Sequence, residues 1–174
     1  NESAEKTLGN CFSLQIVVSV ILTAVLLIWN KDLLLAFGAS ENTIGYATDY
    51  MSIYAIGTLF VQMTLGMNTF ITAQGFTTVS MVSVIIGAVC NIVLDPIFIF
   101  GFQMGVKGAA LATIISQMLS CVWIISFLCG KKTQLKIKKE NLKLRADIIL
   151  PCIALGTAAF VMQSSESVIS VCFN

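Results

Sequence analysis

"AVCNIVLDPIFIFG", residues 88–101, places an amide, a carboxylate and a proline inside a run that otherwise reads Val, Ile, Leu and Phe. A carboxylate in such surroundings is expensive, and a proline removes one N–H from the helical ladder. Whether this stretch belongs to a soluble core or to a membrane decides the fold, and composition answers that first.

The 174-residue chain is 57% hydrophobic and 11% charged, with a mean hydropathy of +0.91. A soluble domain carries about 25% charged residues. The deficit points to a bilayer, where hydrocarbon acts as the apolar solvent. The net charge of +1 comes with no basic helical face, so nucleic acid is not an expected partner. Histidine is absent, which removes the commonest general base and metal ligand. Cys11, Cys90, Cys121, Cys129, Cys152 and Cys172 lie in or beside apolar runs without a C-x-x-C pair. They read as small buried hydrophobes rather than a disulfide framework. The chain opens at Asn1 and ends on the apolar "SVCFN", and is expected to be a piece of a longer protein.

A helix that crosses a membrane needs about 20 apolar residues. Stretches near 9–29, 44–67, 77–100, 107–129 and 147–173 qualify, which predicts five transmembrane helices. The separators are "WNKDLLLAFGASEN", "NTFITAQGFTT", "GFQMGVKG" and the basic "GKKTQLKIKKENLKLR". Seven of the ten Lys and Arg residues fall in the last of these: Lys131, Lys132, Lys136, Lys138, Lys139, Lys143 and Arg145. Positive residues stay on the cytoplasmic side. The 130–146 loop, the 68–76 loop and the N-terminus are therefore expected inside, and 30–43 and 101–106 outside. Only Lys31 and Lys107 oppose this orientation. The basic loop also suits anionic lipid headgroups.

Polar residues recur at helical spacing within the spans. The third carries Ser80, Ser83, Gly87, Asn91 and Asp95, and the fourth Thr113, Ser116, Gln117 and Ser120. The second carries Tyr50, Tyr54, Thr58, Gln62 and Gly66, and the fifth Gly156, Ala159, Gln163, Glu166 and Ser170. Small and hydroxyl residues serve close helix packing. Tyr46 and Tyr50, near a helix end, suit interfacial anchoring. The glutamines Gln62, Gln117 and Gln163 are divided between packing and function. Asp95 and Glu166 are different, because a mid-membrane carboxylate costs about 2.5–3.5 kcal/mol on insertion scales. Packing alone does not require that expense.

Asn91 and Asp95 stand at i and i+4, so their side chains share a face. Pro96 leaves the Ile92 carbonyl without its helical donor. Thr113, from the neighbouring antiparallel span, adds a hydroxyl. Such an oxygen cluster suits Na⁺ or a proton on the carboxylate, and the stretch reads as an ion site.

Residues 68–117 carry "AQG" before a span, "N-x-x-L-D-P" near its outer end and "G-V-x-G-A-A-x-A-T" opening the next. In this order and spacing they resemble the core signature of the multidrug and toxic compound extrusion (MATE) transporters. The resemblance implies an all-α, twelve-helix membrane fold of two six-helix lobes around a central cavity. This chain then resembles the third to seventh helices. Residues 1–129 correspond to part of the N-lobe, 130–146 to the cytoplasmic inter-lobe loop and 147–174 to the first helix of the C-lobe.

The resemblance further implies that Asn91, Asp95 and Thr113 bind Na⁺ or take the coupling proton, completed by an aspartate on a first helix that this chain lacks. Glu166 matches more loosely an acidic residue of the C-lobe, which implies a substrate cavity touched by Glu166, Gln163 and Gln62. The implied function is efflux of small organic, often cationic, compounds across the cell membrane by antiport with Na⁺ or H⁺. No enzyme activity, resident cofactor, metal beyond Na⁺ or obligate protein partner is implied. A flippase for lipid-linked sugars is the nearest rival, but the predicted cavity faces hold no Lys or Arg for pyrophosphate. A membrane hydrolase lacks its histidines and paired acids. A purely structural membrane subunit leaves Asn91–Asp95–Pro96 unexplained.

Overall fold

The computed structural model describes residues 2–130, 133–137 and 139–172. Lys131, Lys132 and Lys138 of the basic run lie outside them, as do the side chains of Ala159, Ser170 and Cys172. The elements run α1 (Glu2–Ile28), α2 (Asn30–Ala36), α3 (Ile44–Ala73), α4 (Thr77–Pro96), a π-helical turn (Ile97–Gly101), α5 (Val106–Cys129), a 3₁₀ turn (Lys139–Leu142) and α6 (Ala146–Cys172). No strand occurs among the described residues. In hydrocarbon every backbone polar group must be satisfied within its own segment, which a helix alone achieves in an open chain.

Among the described residues α1, α3, α5 and the α4–π unit are long and apolar enough to cross a membrane. Helix α6 occupies the fifth expected position. Large apolar side chains point outward, including Ile92 at 71% and Phe100 at 76% exposure. A soluble domain would bury such residues, whereas a bilayer leaves them in a matching solvent.

Three boundaries depart from expectation. Helix α1 begins at Glu2 rather than near residue 9, and Lys6 Nζ meets Glu2 Oε1 at 2.7 Å within its first turns. The expected 30–43 loop contains α2, whose buried Asn30 donates to the Thr48 carbonyl at 3.2 Å and Ser52 Oγ at 2.8 Å on α3. The expected 68–76 loop is mostly helix, because α3 runs on to Ala73. Its hydroxyls are absorbed locally: Thr69 Oγ1 donates to the Gly66 carbonyl at 2.6 Å and Thr72 Oγ1 to the Asn68 carbonyl at 3.0 Å. The chain turns only at Gly75, whose φ of 88° favours a residue without a side chain.

Helix α3 is the centre of the bundle and packs against α1, α2, α4 and α5. The buried core lies toward one end, where Leu8, Met63, Met67, Ile71, Cys121, Ile124 and Leu128 meet. The basic linker returns to that same end. Gln74 Oε1 accepts from Thr133 Oγ1 at 2.8 Å and from the Gln134 and Leu135 N–H groups at 3.0 Å. Leu135 and Ile137 then pack on the core. Further along, Ser13 Oγ donates to the Leu142 carbonyl at 2.7 Å and the Arg145 N–H to Asn10 Oδ1 at 2.7 Å. The opposite end is marked by the ion pair of Lys107 and Asp49 at 3.4 Å. The loops thus segregate to two ends in the expected pairs.

Candidate functional site

Helix α4 carries Asn91 and Asp95 one turn apart, close to the end opposite the linker. Asn91 Nδ2 donates to Asp95 Oδ1 at 3.3 Å and to Thr113 Oγ1 on α5 at 3.5 Å. Thr113 Oγ1 in turn donates to the Ala109 carbonyl at 3.0 Å. Its lone pairs are therefore turned away from its own helix and toward Asn91. All three side chains are half-buried. The sequence-predicted carboxylate, amide and hydroxyl are brought together.

Pro96 acts differently from a simple break. The helical path continues through it and widens into the π turn, where the Phe102 N–H reaches the Ile97 carbonyl at 3.0 Å. Proline supplies no N–H to the Ile92 carbonyl, and the Ile97 N–H is taken by the Leu94 carbonyl. π turns inside helices accompany functional sites, and this one begins two residues after Asp95.

The α5 register is set by close approach. A Cβ on Gly108 would stand 2.8 Å from the carbonyl carbon and oxygen of Phe98 in the π turn. One on Gly57 would meet Ile114 Cγ1 at 2.5 Å, and one on Gly87 would meet Ser120 Oγ at 2.7 Å. These contacts hold Thr113 beside Asn91. Gly108→Val should push the π turn off α5 and lower stability by about 1–3 kcal/mol, the usual cost of overpacking. Thermal denaturation of the detergent-purified protein measures this, and an unchanged midpoint would refute the packing role.

Asn91 and Thr113 also line a cleft of about 280 Å³ between α3, α4 and α5, together with Thr64, Asn68, Gln117 and Ser120. Asn68 and Thr64 were not anticipated as site residues. Asn68 falls in "NTFITAQGFTT", which reads as a loop, yet it lies on helix four residues after Thr64, so the two share a face. Gln62 is half-buried on α3 and off the cleft. Ser83, Ser116 and Ser120 are buried at helix contacts, with Ser120 Oγ donating to the Ser83 carbonyl at 2.7 Å. Tyr50 and Tyr54 stack at 5.8 Å between centroids.

Glu166 and Gln163 do not join the Asp95 cluster. Both are exposed on α6, and among the described residues α6 packs against α1 alone of the helices. Cys11, Cys90, Cys121, Cys129 and Cys152 are free thiols.

Residues 1–97 match the family model MatE. That segment includes Asn91 and Asp95 but stops short of Thr113. The multidrug export protein MepA of Staphylococcus haemolyticus is 29% identical over 147 residues, covering 84% of this chain and 32% of that protein. MepA of Staphylococcus aureus (strain NCTC 8325 / PS 47) is 27% identical over 148 residues, covering 85% and 33%. The chain spans about a third of the length of these curated relatives.

Among solved structures, a MOP superfamily transporter from Pyrococcus furiosus superposes with a TM-score of 0.88 at 26% identity, covering 96% of this chain and 37% of that one. Reversed polarity of its binding pocket is described as suggesting a different function. The inward-facing conformation of a multidrug resistance MATE family transporter superposes at 0.83 with 22% identity, covering 97% and 44%. The second likeness bears on fold alone.

Proposed function

Since this chain belongs to the MATE family, we propose that it forms part of a multidrug efflux transporter driven by antiport of Na⁺ or H⁺ at Asp95. One observation carries this reading: a carboxylate, an amide and a hydroxyl from two membrane helices lie within hydrogen-bond reach beside a π turn. Residues 1–129 contribute to one lobe, the basic linker lies on the cytoplasmic side, and α6 opens the second lobe.

Asp95 presents the one formal charge of the cluster, so occupation by a monovalent cation neutralises it. Asn91 donates an N–H to the carboxylate at 3.3 Å. The same amide turned over presents Oδ1, and Thr113 Oγ1 lies 3.5 Å from the amide nitrogen. Coupling requires only that cation and organic substrate favour different conformations of the two lobes. One charge moving down 100 mV supplies about 2.3 kcal/mol, roughly a 50-fold concentration ratio for a neutral exported compound; one-for-one exchange with a monovalent cationic compound moves no net charge and draws on the ion gradient alone.

The exposed Glu166 and Gln163 on α6 supply contacts for cationic substrates in the cavity between lobes. The flippase reading is disfavoured because, among the described residues, no Lys or Arg lines the α3–α4–α5 cleft. In vesicles containing the full-length protein, a cationic dye should leave only when a Na⁺ or pH gradient is imposed. Movement indifferent to both gradients would overturn the proposal. Glu166→Gln should weaken transport of a cationic compound more than that of a matched neutral one, because only a Coulomb attraction is removed. Equal rates for both compounds would take Glu166 out of the cavity.

A further inference from the structure

We propose that residues 133–145 are a strap fixed to the lobe formed by residues 1–129, so that the linker rides with that lobe while the second one moves. This rests on the two-lobe reading above and not on the ion site. The sixteen residues between Cys129 and Ala146 would span about 55 Å if extended, ample for a slack tether between two moving bodies. The chain instead lies back on the bundle and is held at two separate places. Movement of the second lobe is then taken up beyond Arg145, where α6 begins.

The first holding point is Gln74, which caps α3 at the linker end. Its Nε2 donates to the Phe70 carbonyl at 3.2 Å, which leaves Oε1 to accept from Thr133 Oγ1 and the Gln134 and Leu135 N–H groups. Thr133 is only 5% exposed, and Leu135 and Ile137 beyond it pack on the core. The second holding point is α1. A Cβ on Gly9 would stand 2.6 Å from the Asn141 carbonyl oxygen, so the strap backbone rests directly on the helix there. Asn10, next in the chain and 1% exposed, bonds the strap in both directions. Its Nδ2 donates to the Asn141 carbonyl at 3.3 Å, and its Oδ1 accepts from the Arg145 N–H at 2.7 Å. Ser13, one turn on from Gly9, donates to the Leu142 carbonyl. None of these bonds uses a charge. A basic run attached through lipid headgroups would be held by its lysines, whereas these bonds satisfy buried backbone groups that need partners.

Trypsin, which cuts undocked chain after Lys and Arg, gives the test. The full-length protein is placed in neutral-lipid vesicles with the linker face outward. Cleavage after Lys136 and Lys143 is timed by mass spectrometry, with a synthetic peptide of residues 131–146 as the undocked reference. Both bonds should be cut about 100-fold or more slowly than in the peptide, because proteolysis follows the fraction of chain transiently opened. The rates should be the same with and without an imposed Na⁺ or pH gradient. Gln74→Ala should speed cleavage after Lys136 about tenfold, as loss of one or two hydrogen bonds would, and leave Lys143 slow. Asn10→Ala should do the reverse. Native cleavage at the peptide's rate, faster cleavage under a gradient, or protection that neither substitution changes would overturn the strap. The fragment beyond the linker should carry several membrane helices. A fragment holding α6 alone would instead defeat the two-lobe reading, so the two failures are separable.

Discussion

Asp95→Asn in the full-length protein should abolish cation-driven efflux while leaving membrane insertion and stability intact. Asparagine keeps the planar shape of the side chain, so the 3.3 Å contact with Asn91 can persist as an amide–amide hydrogen bond. What is lost is the formal charge and the titratable proton. A carboxylate within a membrane span carries an insertion cost, up to about 2.5–3.5 kcal/mol at the bilayer centre, and the substitution removes part of it. The variant should therefore denature at the same temperature as the native protein or above it. A variant that is stable yet uncoupled separates a functional carboxylate from a structural one. The measurements are gradient-dependent dye efflux from vesicles and thermal denaturation in detergent. Undiminished, gradient-dependent efflux would end the assignment of Asp95 as the coupling site.

Asn91→Leu should weaken the apparent affinity for the coupling cation without abolishing transport. Its amide is the bridge of the cluster, within 3.3 Å of Asp95 Oδ1 and 3.5 Å of Thr113 Oγ1. Leucine has a similar volume but offers neither N–H nor oxygen. Asp95 keeps its charge and loses the group that orients it. Groups that orient a first ligand typically govern about 10–100-fold in cation affinity. The cation concentration giving half-maximal efflux should rise by that factor, with the saturated rate reduced far less. An unchanged concentration dependence would make Asn91 a packing residue. The contrast between the two variants, one lost and one shifted, also distinguishes the group that carries charge from the group that positions it.

The membrane class, the approximate places of the long helices and the shared face of Asn91 and Asp95 were legible in the sequence because each depends on neighbours within one segment. An apolar run of membrane length must become helix to satisfy its own backbone, and residues four apart on a helix meet whatever surrounds it. The lysines of the 130–146 run likewise marked the loops that share an end, since charge cannot stay in hydrocarbon. The approach of Thr113 to Asn91 is of another kind. Its residue type and antiparallel span suggested the meeting, but its distance is set by the α5 register, through Gly108 on the Phe98 carbonyl and Gly87 on Ser120. Asn68 was misplaced in a loop because Thr69 and Thr72 look like loop residues until their hydroxyls fold back onto the preceding turn. Helix α2, the Gln74 clasp on the linker and the separation of Glu166 from Asp95 also depend on which helices touch. Those contacts join residues tens of positions apart, and only the packed bundle brings them within reach.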